Sequence, residues 1–282
     1  MGVDMDIKGT TGVIALLGWP VEHSLSPAMH NAAFSEMGLD LCYIALPVRP
    51  DSLIEAVEGL RAMGFVGFNL TVPHKEAVMP VLNKLSPEAS FIGAVNTVVS
   101  DHLGRLTGHN TDGRGYIHSL EEADVDVEGK RVLILGSGGA ARAVSWYLCL
   151  SKAEVFIHAR NPETSTRLVN DLLINYKNVS ALESLDGEDS IESMDIIINA
   201  TPLGLKETDP MPLDTAKLHS SQVASDLIYA NTPFLKEAAG KGLKTVNGLG
   251  MLLWQGVLAS ELWTGQRPPV ETMRKVLVPF LK

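Results

Sequence analysis

Cysteine is nearly absent. The two present, Cys42 and Cys149, are far apart, and each sits in an apolar run (LCYIAL and WYLCL). That excludes a disulfide framework and a thiolate metal set, and it reads as two buried, reduced thiols in a reducing compartment. Cations are in the minority, with 23 Lys plus Arg against 33 Asp plus Glu and a net charge of −10. Such a surface repels phosphate backbones and anionic lipid unless a local basic patch reverses it. The basic residues are scattered singly, and the close pairs, Arg114 near His118 and Lys130 beside Arg131, read as solvated positions. Neither nucleic acid nor a membrane is an expected partner. No apolar run approaches the ~18 residues of a membrane span, and the best candidate is broken at Gln255. The N-terminus carries acids where an export signal has Lys or Arg, and Asp6 stands where a myristoylation signal has Ser or Thr. A cytoplasmic location is the expectation. Internal repeats and low-complexity segments are also lacking.

What is there is an ordinary globular composition, 45% apolar and 20% charged, in 282 residues. That length is beyond the point where one core keeps growing, so two domains are expected. Residues 13–18, 41–46 and 66–70 read as strands. Between them run helices from Ser26-Pro27, with Ser26 as cap, to Gly38, and from Asp51 to Met63, closed by Gly64. This βαβαβ pattern implies parallel pairing. Short helices led by Pro73 and by Ser86-Pro87 follow, then a hairpin of residues 94–99 and 105–108, then a helix through about Glu122 capped by the Asn110 to Gly113 stretch. From Arg131 a second series begins. Strands at 131–135, 154–158, 195–199, 223–226 and 243–246, with helices ending at Leu150 and starting at Pro162, have the alternation of a doubly wound sheet. Helices 251–263 and 270–281 have no strand between them and are expected to pack back on the first domain. The fold class is therefore α/β with two domains: 1–112 for substrate and catalysis, 113–248 for a dinucleotide on a Rossmann-type sheet, and 249–282 as the returning helices.

Gly136-Ser137-Gly138-Gly139-Ala140-Ala141 fits G-x-G-x-x-A between a strand and an apolar helix. The first glycine permits a tight turn, the second lets a pyrophosphate approach the backbone, and the small Ala141 allows close helix packing with the anion at the helix N-terminus. At the end of the next strand the chain reads Ala159-Arg160-Asn161, where an NAD site would carry an acid for the ribose hydroxyl. Arg160 favours a 2′-phosphate, to which its planar fork can make two charge-assisted bonds; a solvated surface arginine is the alternative.

Polar clusters at Ser24 to Ser26, Asn69 to Lys75, Ala94 to Thr97 and Asn110 to Gly113 fall at the ends of expected elements. Hydroxyls and amides suit a small polyhydroxylated acid, because buried polar groups discriminate against analogues lacking a partner. Caps and turns explain Ser26 as well, but not Asn96 inside an apolar strand. Hydride transfer to a carbonyl needs a proton delivered to the oxygen. Lys75, after a strand's C-terminal end and behind Pro73, is the candidate acid/base, with Asp112 to orient it. From spacing alone a surface lysine and a capping aspartate would be the favoured reading.

The stretches GWPVEHSLSP, GFNLTVPHK, GAVNTV, GHNTDG, GSGGAARAV, NATPLG, DLIYANTPFL and NGLGMLLWQG run in order from Gly18 to Gly256. In these the chain resembles the shikimate dehydrogenase family, NADP-linked oxidoreductases of aromatic amino-acid biosynthesis. The resemblance implies reversible NADPH-dependent reduction of 3-dehydroshikimate to shikimate, with Lys75 and Asp112 as the catalytic pair. It also implies that Ser24, Ser26, Thr71, Asn96, Tyr229 and Gln255 contact shikimate together with that pair, and that Asn69 and Asn110 shape the site. Gly136, Ser137, Gly138, Gly139, Ala140, Ala159, Arg160, Asn161 and Thr164 would hold the coenzyme, with Leu227 and Gly248 beside the nicotinamide. Ala159 and Asn161 depart from the Asn and Thr common in the family, which bears on coenzyme preference. His74 and His109 are read as neighbours of the site, and no metal is expected. The rival readings are an NAD-preferring quinate/shikimate dehydrogenase and a catalytically silent dinucleotide-binding regulator. A monomer or homodimer is expected.

Overall fold

The computed structural model describes residues 6–186, 191–206 and 208–280. The N-terminal residues 1–5, read above for export and lipidation, and Leu281, the expected end of the last helix, lie outside them. The chain divides into two compact units, Met1–Thr111 with Gln255–Pro279 and Asp112–Trp254 with Phe280–Lys282.

The first unit runs β1 (Gly12–Gly18), α1 (Ser26–Glu36), β2 (Leu41–Pro47), α2 (Leu53–Ala62), β3 (Gly67–Leu70), α3 (His74–Ala77), β4 (Lys84–Leu85), α4 (Pro87–Ile92), β5 (Thr97–Ser100) and β6 (Leu106–His109). Its sheet has the order β2-β1-β3-β5-β6-β4. β1 pairs in parallel with β2 and β3, whereas β5 is antiparallel to both β3 and β6, so the sheet is mixed. β1 shows why its residues form a central strand. Ala15 and Leu17 pack with Val57, Phe68, Leu70 and Val98 on one face, and Ile14 and Leu16 with Phe34 and Tyr43 on the other. A strand buried on both faces reads as a continuous apolar run, not an alternating one.

The second unit runs α5 (Asp112–Glu122), β7 (Arg131–Leu135), α6 (Gly139–Leu150), β8 (Glu154–His158), α7 (Pro162–Leu173), β9 (Val179–Ala181), β10 (Ile196–Asn199), β11 (Val223–Asp226), α8 (Pro233–Gly240) and β12 (Lys244–Val246). Its six strands, ordered β12-β11-β10-β7-β8-β9, are all parallel. The order reverses between β7 and β10, the position at which ligands bind on doubly wound sheets. α9 (Leu249–Thr264) starts in this unit and ends in the first, and α10 (Val270–Leu277) packs on α1 there. Trp263 on α9 donates its indole N–H to the Val98 carbonyl at 3.0 Å, and Thr272 on α10 hydrogen-bonds Glu36. Among the described residues no helix is long and apolar enough to cross a membrane.

Several expectations need correction. Ser26 is not a cap: it is the first residue of α1, Leu25 holds the capping position with helical backbone, and no side chain caps the helix. Pro27, set in the second position, still permits the start because its missing N–H has no helical partner there. A 3₁₀ turn over Pro50–Ser52 delays α2 to Leu53. β4, β9 and α8 were not anticipated. Arg131 is not simply solvated, for its guanidinium lies 4.7 Å from the Phe156 ring centroid and 3.6 Å from Glu154.

Candidate active site

In the first unit the loops after β1 and β3 are stitched side by side. Thr71 N–H donates to the Leu17 carbonyl at 2.9 Å, and Trp19 N–H to the Val72 carbonyl at 3.0 Å. Gly18 makes this approach possible, since a Cβ there would stand 2.3 Å from the Thr71 methyl and 2.7 Å from Val21. The β1 loop carries Ser24 and Ser26, joined by a bond from Ser26 N–H to Ser24 Oγ at 3.3 Å. The β3 loop carries Thr71 and leads into α3, where Lys75 is half-buried. The Lys75 carbonyl accepts the Val95 N–H at 2.8 Å, which ties α3 to the segment bearing Asn96.

A buried polar ladder runs behind these loops. Tyr43 donates its phenol proton to Asn69 Oδ1 at 2.7 Å, and Asn69 Nδ2 donates to Thr97 Oγ1 and to the Asn96 carbonyl, both at 2.9 Å. Thr97 Oγ1 then donates to Asn96 Oδ1 at 2.9 Å, which also accepts the Thr111 N–H at 2.9 Å. Asn96 Nδ2 donates to Thr111 Oγ1 at 2.9 Å. Each amide is thereby fixed in one orientation, the condition for a site that discriminates by hydrogen bonding. Asn110 donates to the Ala94 carbonyl at 3.0 Å, which makes it a brace for the same segment. His74 is fully buried with Nε2 2.8 Å from the Val48 carbonyl, so that nitrogen carries the proton. His109 lies 3.8 Å from Glu88, whose carboxyl is held below its usual range chiefly by that histidine.

Asp112 opens α5, and with it the second unit, and is buried. Gly113 follows because α5 lies tight on α6: a Cβ there would meet the Ala143 carbonyl oxygen at 2.2 Å. Gly136 leaves β7 with φ +113°, and a Cβ on it would reach the Ala200 carbonyl oxygen at 3.0 Å. Gly138 precedes α6 as its cap and Gly139 begins it, and a Cβ at either would meet nothing within 4 Å. The space beside both glycines at the N-terminus of this 12-residue helix is therefore open, and a pyrophosphate fits there. Ser137 Oγ donates to Thr164 Oγ1 at 2.7 Å, and Thr164 Oγ1 to the Asn161 carbonyl at 2.7 Å. Asn161 caps α7 by accepting the Glu163 N–H, Ala159 is buried, and Arg160 between them is exposed.

Leu227 and Gly248 meet at the ends of β11 and β12. A Cβ on Gly248 would lie 2.1 Å from the Leu227 carbonyl oxygen, and Gly248 N–H donates to the Ile228 carbonyl at 3.0 Å. The loops there are framed by residues that sequence reasoning missed although their motifs were in view. Asp226 Oδ2 accepts from Asn199 at 3.0 Å and from Thr232 at 2.8 Å, and Thr201 donates to Asn199 Oδ1 at 2.7 Å. Burial pushes the Asp226 carboxyl up against these donors. Tyr229 is 45% exposed and Gln255 half-buried.

Three family models match in register with these features. They are the shikimate dehydrogenase substrate binding domain over residues 16–98, shikimate / quinate 5-dehydrogenase over 119–205, and the shikimate 5′-dehydrogenase C-terminal domain over 248–278. A shikimate dehydrogenase (NADP(+)) of Carboxydothermus hydrogenoformans is 46% identical over 277 residues, covering 97% of this chain and 99% of the relative. The chain belongs to the shikimate dehydrogenase family. Two crystal structures of the family share its architecture. A shikimate dehydrogenase in complex with NADP+ has a TM-score of 0.91 at 39% identity and covers 100% of both chains. The Thermus thermophilus enzyme in complex with NADP(H) and shikimate has a TM-score of 0.88 at 38% identity, covering 96% of this chain and 100% of that one. As a shikimate dehydrogenase family member the chain is an α/β oxidoreductase with a mixed sheet in its first unit, a parallel six-stranded sheet in its second, and C-terminal helices returning to the first.

Proposed function

We propose that this protein interconverts 3-dehydroshikimate and shikimate with NADPH and NADP+ in the cytoplasm, as a monomer or homodimer. Residues 1–112 serve substrate and catalysis, 113–248 the coenzyme, and 249–282 close back on the substrate domain. The observation that carries the reading is the buried ladder from Tyr43 to Thr111, which orients Asn69 and Asn96 beside the short helix α3 that bears Lys75. The bound coenzyme supplies or accepts the hydride. Gly136, Ser137, Gly138, Gly139 and Ala140 would hold its pyrophosphate, and Ala159, Arg160, Asn161 and Thr164 its 2′-phosphorylated ribose. Leu227 and Gly248 would border its nicotinamide. Lys75 gives a proton to the substrate oxygen in reduction and takes it back in oxidation, and Asp112 orients the ammonium and a substrate hydroxyl. Ser24, Ser26, Thr71, Asn96, Tyr229 and Gln255 supply hydroxyl and amide partners, so that an analogue lacking a hydroxyl leaves one of them unpaired.

The test is a spectrophotometric assay of purified protein with shikimate or quinate against NADP+ or NAD+. Shikimate with NADP+ should give the highest kcat/KM, and Lys75→Ala should cut kcat by about 10²-fold or more with shikimate binding retained. Absence of shikimate-dependent NADP+ reduction would end the reading, a strong NAD+ preference its coenzyme part, and near-native turnover in Lys75→Ala the role of that residue.

A further inference from the structure

Tyr43 lies within β2 in an apolar run, and its ring is sealed from solvent, 1% exposed. A buried phenol in such a strand is ordinarily a core aromatic with its hydroxyl parked on a nearby carbonyl. Here the hydroxyl has a different task. It donates to Asn69 Oδ1 at 2.7 Å. Asn31 of α1 grips the β2 backbone at Tyr43 from both sides, Nδ2 to the Tyr43 carbonyl at 2.8 Å and Tyr43 N–H to Oδ1 at 2.7 Å. The ring itself is clamped. His30 stacks on it at 4.4 Å between centroids with 16° between planes, and Trp263 of α9 lies 6.0 Å away.

We propose that Tyr43 is a positioning residue for substrate, fixing the amide of Asn69 on β3 through one buried phenol that α1 holds in place. The inference rests on the reading of these loops as a shikimate site. Its logic is geometric: α1 grips β2 through Asn31 and His30, and the phenol oxygen of β2 carries that register to Asn69 on β3. Removing the hydroxyl leaves Asn69 Oδ1 without that donor in a buried place. The amide is then held from its Nδ2 side alone, and the ladder to Thr97 and Asn96 is less tightly oriented.

Tyr43→Phe tests this, because it keeps the ring clamped by His30 and Trp263 and deletes the oxygen alone. The KM for shikimate should rise about tenfold, the effect of one buried hydrogen bond, while kcat and the KM for NADP+ stay within about threefold. Combined with Asn69→Ala, the rise should be smaller than the product of the two single effects, since both act through one contact. An unchanged shikimate KM in an active Tyr43→Phe variant, a rise matched by an equal loss in kcat and NADP+ affinity, multiplicative effects in the double variant, or a variant that does not fold would each overturn the positioning role. A wild-type protein that does not oxidise shikimate is a separate result, which sinks the functional reading and takes the role of Tyr43 with it.

Discussion

His30 is fully buried, and neither ring nitrogen has a hydrogen-bond partner among the described residues. Burial pushes its pKa down from 6.5 to about 3, so the folded protein keeps it neutral. In the unfolded chain the same imidazole takes a proton as the pH falls below 6.5. Between that value and about 3 the unfolded state therefore binds more protons, and stability rises with pH across the window. The contribution is complete above 6.5 and is lost on acidification, at up to about 1.4 kcal/mol per pH unit. Urea unfolding at pH 7 and pH 5 should show the wild type losing about 2 kcal/mol more than His30→Phe, which keeps the stack on Tyr43 without a titrating group. Equal losses in the two proteins would refute this. At this scale legibility depends on whether a residue type announces its chemistry. Asn96 and Gly136 stood out because an amide inside an apolar run and a glycine at a strand end need a reason, whereas Lys75 read from spacing alone as a surface lysine and was singled out by the family resemblance. Tyr43 and Asp226 did not, since a tyrosine in LCYIAL reads as core until the partner of its hydroxyl is known.

Among elements, the strand–turn–helix–strand from Arg131 to His158 was legible to the residue, because apolar runs, a glycine turn and a small-residue helix all agree there. β4 and β9, of two and three residues, are too short to carry a period. α8 could have been found: Thr232 caps it by accepting the Leu235 N–H and Pro233 opens it, a start signal overlooked inside the DLIYANTPFL stretch. The two glycine sites separate folding from binding. A Cβ at Gly138 meets no protein atom, whereas one at Gly248 runs into the Leu227 backbone, which cannot swing aside as a side chain can. Gly138→Ala should therefore leave the thermal midpoint within about a degree and weaken NADP+ binding at least tenfold, since its methyl would occupy the space a pyrophosphate needs. Gly248→Ala should cost about 1–3 kcal/mol of stability as well as coenzyme affinity. Calorimetry with coenzyme titration checks both; equal midpoints for the two variants would show that the β11 and β12 ends give way more easily than their packing implies.

For the whole molecule, the alternation of elements conveyed two α/β units, but the mixed character of the first sheet came only from the structure. The hairpin of β5 and β6 is local and could be read, while the antiparallel seam of β3 with β5 pairs residues about thirty apart, Gly67 with Val99, and no local pattern encodes it. Each unit carries its own sheet, with Asn96 in the first and Gly138 in the second. If each holds the ligand proposed for it, each ligand stabilises the folded chain by mass action, about 2.7 kcal/mol at a hundred times its Kd. Gly138→Ala should cut the shift given by NADP+ by about half or more and keep that given by shikimate; Asn96→Ala, referred to its own ligand-free midpoint, should do the reverse. Thermal unfolding of the three proteins with each ligand measures this directly. Loss of both shifts in either variant would mean that the two ligands do not bind through separate sets of residues, and the assignment of one ligand to each unit would have to be abandoned.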